Sequence, residues 1–281
     1  MTDPLTTEPL SDQRTSSEIA ADCVREIRSS EDMPSLQVIQ RRGGAEEFAI
    51  AAQYCRSPNN AVREVGANIL AQLGYEEGGT FIDESVEVLL PMLNDESGEV
   101  VRAVAIALGR RHHESTIPHL LAMVDHPHGD VRFGVVHGLM GYENLDAIQA
   151  LIGLTQDPNR EVREWAMFAL GTQIEADTPE IRAAFTTGLA DEYDNVRDEA
   201  IAGLVRCGAE SALNALATEL DRPSISMLNL RTAAELADPR LIPTLTRLVE
   251  PMSDDADFSA ALDEAIRACQ QALNQPDPEH G

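Results

Sequence analysis

Apolar residues recur along the chain at i, i+4, i+7 and i+8, as in Val162, Ala166, Ala169 and Leu170 or Val196, Ala200, Gly203 and Leu204. Period-two alternation is absent, so helices are predicted throughout and no strand. A second set of apolar-periodic segments lies between them: residues 117–121, 147–152 and 242–245. Pro118 and Pro243 stand near the start of two of these, where a missing N–H costs a helix nothing. Helices are also expected at 17–28, 34–41 and 257–273.

The pattern repeats. A Val-Arg pair occurs at Val62-Arg63, Val101-Arg102, Val131-Arg132, Val162-Arg163 and Val196-Arg197, in steps of 39, 30, 31 and 34 residues. Five or six positions before each pair stands a turn-former: Ser57, Asp95, Asp125, Asp157 or Asp191. Leu73-Gly74, Leu108-Gly109 and Leu170-Gly171 follow, with glycine suited to the left-handed residue that closes a helix. The predicted unit is helix A, a short turn led by Asp, then helix B opened by Val-Arg. Leu228-Asn229 stands where a sixth pair is due, and the first helices lack the motif; terminal departures of this kind are what capping repeats look like.

The turn aspartate and the Val-Arg after it resemble the HEAT-repeat superfamily, in its short bacterial form of the phycobilisome-lyase type, over about residues 36–250. The resemblance implies an all-α, right-handed α-solenoid of about six to seven helical hairpins. The signatures of tetratricopeptide and ankyrin repeats are absent. It also implies that Arg63, Arg102, Arg132, Arg163 and Arg197 form a structural ladder with the turn residues Asp95, Asp125, Asp157 and Asp191, since Arg–carboxylate forks between stacked turns fix the angle between repeats. The domain expectation is an acidic, disordered tail over 1–16, one solenoid over 17–274 and a polar tail over 275–281.

Charge narrows the function. The chain has 48 acidic residues against 21 basic ones, all arginine, for a net charge of −27. Direct nucleic-acid binding and adhesion to anionic membranes both require cations, and neither is expected. Without lysine, Schiff-base chemistry and a lysine general base are excluded. Cys23, Cys55, Cys207 and Cys269 form no CxxC pair and read as reduced, buried thiols. The polar N-terminus does not read as a signal peptide, and no apolar run has spanning length, so a cytoplasmic protein is expected. Six of seven histidines fall between His112 and His137, yet no His-x3-His pair shares a helical face and no metal or other cofactor is expected. The His-Glu pairs by which the related deoxyhypusine hydroxylases hold iron are missing from the positions after the helix-B arginines.

With the apolar stripe of helix B set at the recurrent valine, offsets 2, 3 and 6 point away from it or lie at its edge. Those offsets carry Glu64, Phe133, His137, Glu164, Trp165, Phe168, Asp198 and Glu199. In stacked-helix solenoids helix B lines the concave surface, so these residues are expected to form a protein-binding groove, aromatic at its centre with carboxylates around it. The function expected is a non-catalytic scaffold or adaptor for a basic protein partner, in its sharpest form an immunity or inhibitor protein. The alternative is a lyase-like subunit that binds or attaches a linear tetrapyrrole.

Overall fold

A computed structural model describes residues 12–29, 33–249 and 255–273. The expected tails lie outside these residues except for 12–16, where Arg14 pairs with Asp12 and Asp22 and Thr15 closes a capping box with Glu18. All described regular structure is helical. The chain divides into two compact units, residues 1–150 and 151–281.

In the first unit α1 (Ser16–Glu26) and α2 (Pro34–Arg42) form an N-terminal pair. Three A/B hairpins follow: α3 (Ala45–Tyr54) with α4 (Asn60–Ala71), α5 (Ile82–Leu89) with α6 (Gly98–Arg111), and α7 (Ile117–Leu121) with α8 (Gly129–Leu139). The B helices stack in sequence order, α4 on α6 and α6 on α8. Helix α9 (Leu145–Leu154) runs across residue 150.

The second unit continues with α10 (Arg160–Phe168), then α11 (Pro179–Gly188) with α12 (Asp194–Arg206), α13 (Ser211–Leu220) with α14 (Met227–Leu236), and α15 (Ile242–Arg247) with α16 (Ala256–Leu273). Here too the B helices stack in order, α10 on α12, α12 on α14 and α14 on α16. A core of Leu216, Leu220, Leu230, Leu245, Leu262 and their neighbours closes the C-terminal end. The all-α class and the solenoid hairpin are thus present in each unit.

Five of the turns before a B helix are built alike. The residue two before the helix-B N-cap folds its side chain back onto the N-cap N–H: Ser57 onto Asn59, Asp95 onto Ser97, His126 onto His128, Asp157 onto Asn159 and Asp191 onto Tyr193, at 2.7–3.2 Å. This local bond satisfies a donor that the helix leaves orphaned. It also sets the register. Arg63, Arg132, Arg163 and Arg197 stand four residues past their N-caps, but four past Ser97 is Val101 and Arg102 is one further on. The valines that share the buried seam are accordingly Val100, Val131, Val162 and Val196, each no more than 1 % exposed.

Glycine does two different jobs. Gly74, at φ +68, is the left-handed closure predicted after Leu73. Gly109 is not a closure: it lies inside α6, where an added Cβ would come within 2.6 Å of the Gly138 Cα on α8. The chain turns instead at His112, φ +50, whose ring stacks on Tyr142 with centroids 4.4 Å apart. Gly171 likewise closes nothing and lies in a wide turn of π type over 169–173.

Candidate functional site

The recurrent arginines point inward. Arg63 directs Nε and Nη2 as a fork onto both oxygens of Asp95, at 2.7 and 2.8 Å, while Nη1 donates back to the carbonyls of Ser57 and Pro58 in its own turn. Arg163 repeats this with Asp191, at 2.7 and 2.9 Å, and with the Asp157 and Pro158 carbonyls. Arg132 makes the same backward contacts, to His126 and Pro127. Burial pushes the Asp95 and Asp191 carboxyls up, but the arginine bonds and the turn N–H outweigh it and hold both below the usual carboxylate range.

Two rungs differ from expectation. Arg197 forks onto Glu219 of α13, at 3.1 and 2.7 Å, because the turn before α14 is longer and the last turn of α13 comes within reach. Arg102 does not pair with Asp125. Its position five past the N-cap turns it about 100° off the ladder, and its guanidinium lies 4.9 Å over the Phe133 ring. Asp125 is exposed and one residue short of the turn position, which His126 fills. An imidazole that accepts the N-cap N–H through Nδ1 cannot also receive an arginine fork. At this rung both the cation and the carboxylate are therefore missing together.

A second set of arginines, away from the helix openings that carry the recurrent Val-Arg, works at the opposite end of the B helices. Arg111 of α6 reaches back to the Leu73 and Thr80 carbonyls, and Arg206 of α12 to the Leu170 carbonyl. These are last-turn cations; Leu73 and Leu170 lie just past the ends of the preceding B helices α4 and α10, and Thr80 lies in the loop that leads to α5.

The column beside the ladder, five past each N-cap, is the expected partner face. In the first unit it carries Glu64, Arg102 and Phe133. Phe133 and His137 meet with ring centroids 4.4 Å apart. The charges near them are not the expected carboxylates: burial pushes the His137 imidazole down, and the cations Arg102 and Arg110 push it further. Glu64, 13 % exposed, receives Arg28 Nη2 at 2.8 Å, and the same nitrogen reaches Glu99 at 2.8 Å. Burial raises the Glu64 carboxyl despite this partner.

In the second unit the column carries Glu164, Asp198 and Arg231. Asp198 is not on an exposed face: it is 3 % exposed and accepts the Asn229 amide at 2.8 Å. Glu164 accepts from Asn195 at 3.1 Å. Trp165 and Phe168, both half-buried, meet edge to face at 5.3 Å. Glu199 is also half-buried; burial first, then the neighbouring Glu164 and Asp198 charges, push its carboxyl up to about 7. Among the described residues no three His, Cys, Asp or Glu side chains come together as a metal site. The four cysteines are buried and free, and burial pushes the Cys23 and Cys55 thiols up to about 12. No described helix is long and apolar enough to cross a membrane.

Stacked A/B hairpins clamped by arginine–carboxylate forks define a helical-repeat protein. The family profile described as HEAT repeats matches residues 49–140, 86–171 and 148–228, and the chain belongs to that family. The Escherichia coli K12 protein named YibA is 29% identical over 241 residues, 83% of this chain and 85% of its own length. The X-ray structure of YibA superposes with a TM-score of 0.61 at 24% identity, over 95% of this chain and all of that one. A chain of the Kap95p–RanGDP structure matches 97% of this chain and 43% of its own length, with a TM-score of 0.59 at 15% identity, and so shares the fold. The CpcE–CpcF complex of phycocyanin lyase gives a TM-score of 0.48 at 17% identity, over 95% of this chain and 99% of that one.

Proposed function

We propose that the chain is a non-catalytic adaptor whose B helices receive a basic protein partner. The observation that carries this reading is in the second unit. The Trp165–Phe168 pair is half-buried on α10, and next to Trp165 on the same helix stands Glu164, close enough to Glu199 for the two carboxylates to repel. A rigid aromatic anchor beside two mutually repelling carboxylates suits an incoming arginine or lysine, which would relieve the repulsion while the ring supplies buried area. The chain's net charge of −27 would steer a basic protein toward it. The Arg28 contact on Glu64 and Glu99 supports the same partner chemistry in the first unit. The sharpest form of the reading is an inhibitor that occupies the polyanion-binding surface of a nucleic-acid-directed protein.

A pull-down from source lysate at low and moderate salt, comparing the parent chain with Trp165→Ala, tests this. One basic protein, weakened by salt and lost with Trp165→Ala, is the expected result. A partner insensitive to salt and retained by the variant would overturn it. A coloured bound ligand with no protein would point to the tetrapyrrole alternative.

A further inference from the structure

Arg28 stands just past the C-terminus of α1 and is the one arginine that bridges acids of two B helices in the first unit, among the described residues. Its Nη2 donates at 2.8 Å both to Glu64 of α4 and to Glu99 of α6. Its mode of attachment differs from that of every fork in the ladder. Arg63, Arg163 and Arg197 grip their carboxylates with two nitrogens, and their side chains are 8–12 % exposed. Arg28 uses one nitrogen for both acids and is 48 % exposed, and its Nε and Nη1 donate to nothing among the described residues. Glu64 is at the same time nearly buried, so a poorly gripping cation faces a well-desolvated carboxylate. A guanidinium arriving from outside could fork onto Glu64, which Arg28 does not do. Planar guanidinium groups prefer that bidentate geometry, and it is the stronger one.

We infer that Glu64 and Glu99 form a receiving site for an arginine side chain of the basic partner, and that Arg28 occupies this site in cis until the partner displaces it. The inference rests on the proposed function and adds a self-occupied position to it. Arg102 lines the site beside Glu64 and limits how many cations it accepts. An exposed, single-nitrogen ion pair biases an equilibrium by a factor of only about two to five, so the displacement is cheap. The rest of α1 need not move, since Ile19, Ala20 and Cys23 stay in the core.

The test uses the full chain and a fluorescein-labelled hexa-arginine peptide, followed by anisotropy at low salt. Arg28→Ala should tighten binding about two- to fivefold. Arg25→Ala removes the same charge from the last turn of α1, where Arg25 is 71 % exposed and pairs with Asp22, and should leave the affinity unchanged. Adding Glu64→Gln and Glu99→Gln to Arg28→Ala should remove the gain, with the unfolding midpoint of each variant confirming a folded chain. Equal tightening by Arg25→Ala, or none by Arg28→Ala, would overturn the self-occupied site. If Trp165→Ala still weakens the peptide in that case, the adaptor reading stands alone. If no variant binds the peptide, both readings fall.

Discussion

A single residue's place relative to its N-cap decides what it does in this chain. Four past the cap, arginine is a clamp; five past it, Arg102 leaves the ladder and covers Phe133. Glu199 shows the same dependence on position. On a solvated rim it would be ionised at neutral pH, yet burial beside Glu164 and Asp198 raises it to about 7. The sign follows from linkage. Between its ordinary value of 4.5 and about 7 the folded chain keeps a proton that the unfolded chain has lost, so this group costs stability increasingly as pH rises through that window. Glu199→Gln should therefore stabilise the protein by about 1–2 kcal/mol at pH 8, with the advantage shrinking toward pH 5, as read by urea denaturation at the two pH values. An advantage that is equal at both, or absent, would show that Glu199 is solvated.

At the scale of the element, helix pairs are held in two ways. Where a rung is present, as between α10 and α12, the Arg163–Asp191 fork ties one turn to the next. Between α6 and α8 the rung is missing and the helices instead come together on glycine. Gly138 lies where a Cβ would meet the Ala105 carbonyl at 2.8 Å, and Gly109 where it would meet Gly138 itself. Gly138→Ala should destabilise by about 1–3 kcal/mol in spite of its better helix propensity, whereas Gly153→Ala, in α9 with nothing within 4 Å, should gain up to about 1 kcal/mol. Chemical denaturation of the two variants checks the contrast. The missing rung can also be rebuilt. Val101→Arg and His126→Asp should each destabilise alone, since one buries an unpaired guanidinium and the other lacks its arginine. Together they should show a favourable coupling of about 1–3 kcal/mol in a double-mutant cycle. Additive effects would contradict the register set by the N-caps.

The hairpin repeat is legible in the sequence because turn aspartate, valine and arginine recur at nearly fixed steps along an apolar stripe of helical period. The register of the second B helix is not. Val100-Val101-Arg102 contains a Val-Arg pair one residue out of phase, and only the Asp95 bond to the Ser97 N–H shows which valine belongs to the seam. That one-residue offset carries the site with it: the sequence pattern places Arg102 in the ladder, and Asp125 in a turn position that His126 holds. The pattern places Asp198 on an open face because nothing local marks Asn229, 31 residues on, as its buried partner. Arg28 lay outside the repeats, and its link to Glu64 and Glu99 spans 36 and 71 residues. Local pattern reads a repeat well and long-range pairing poorly.

Over the whole molecule we propose a division of labour among the B helices: Arg63, Arg163 and Arg197 on α4, α10 and α12 clamp the fold, while Glu64, Glu99 and Glu164 on α4, α6 and α10 meet a basic partner. Carbodiimide labelling of carboxyl groups, read residue by residue with and without the captured partner, tests this most directly. Glu64, Glu99 and Glu164 should lose reactivity on binding, while Glu84 and Glu180, exposed on helices α5 and α11, should keep theirs. Protection confined to Glu84 and Glu180, with Glu64, Glu99 and Glu164 unchanged, would place the partner on the A helices and contradict it.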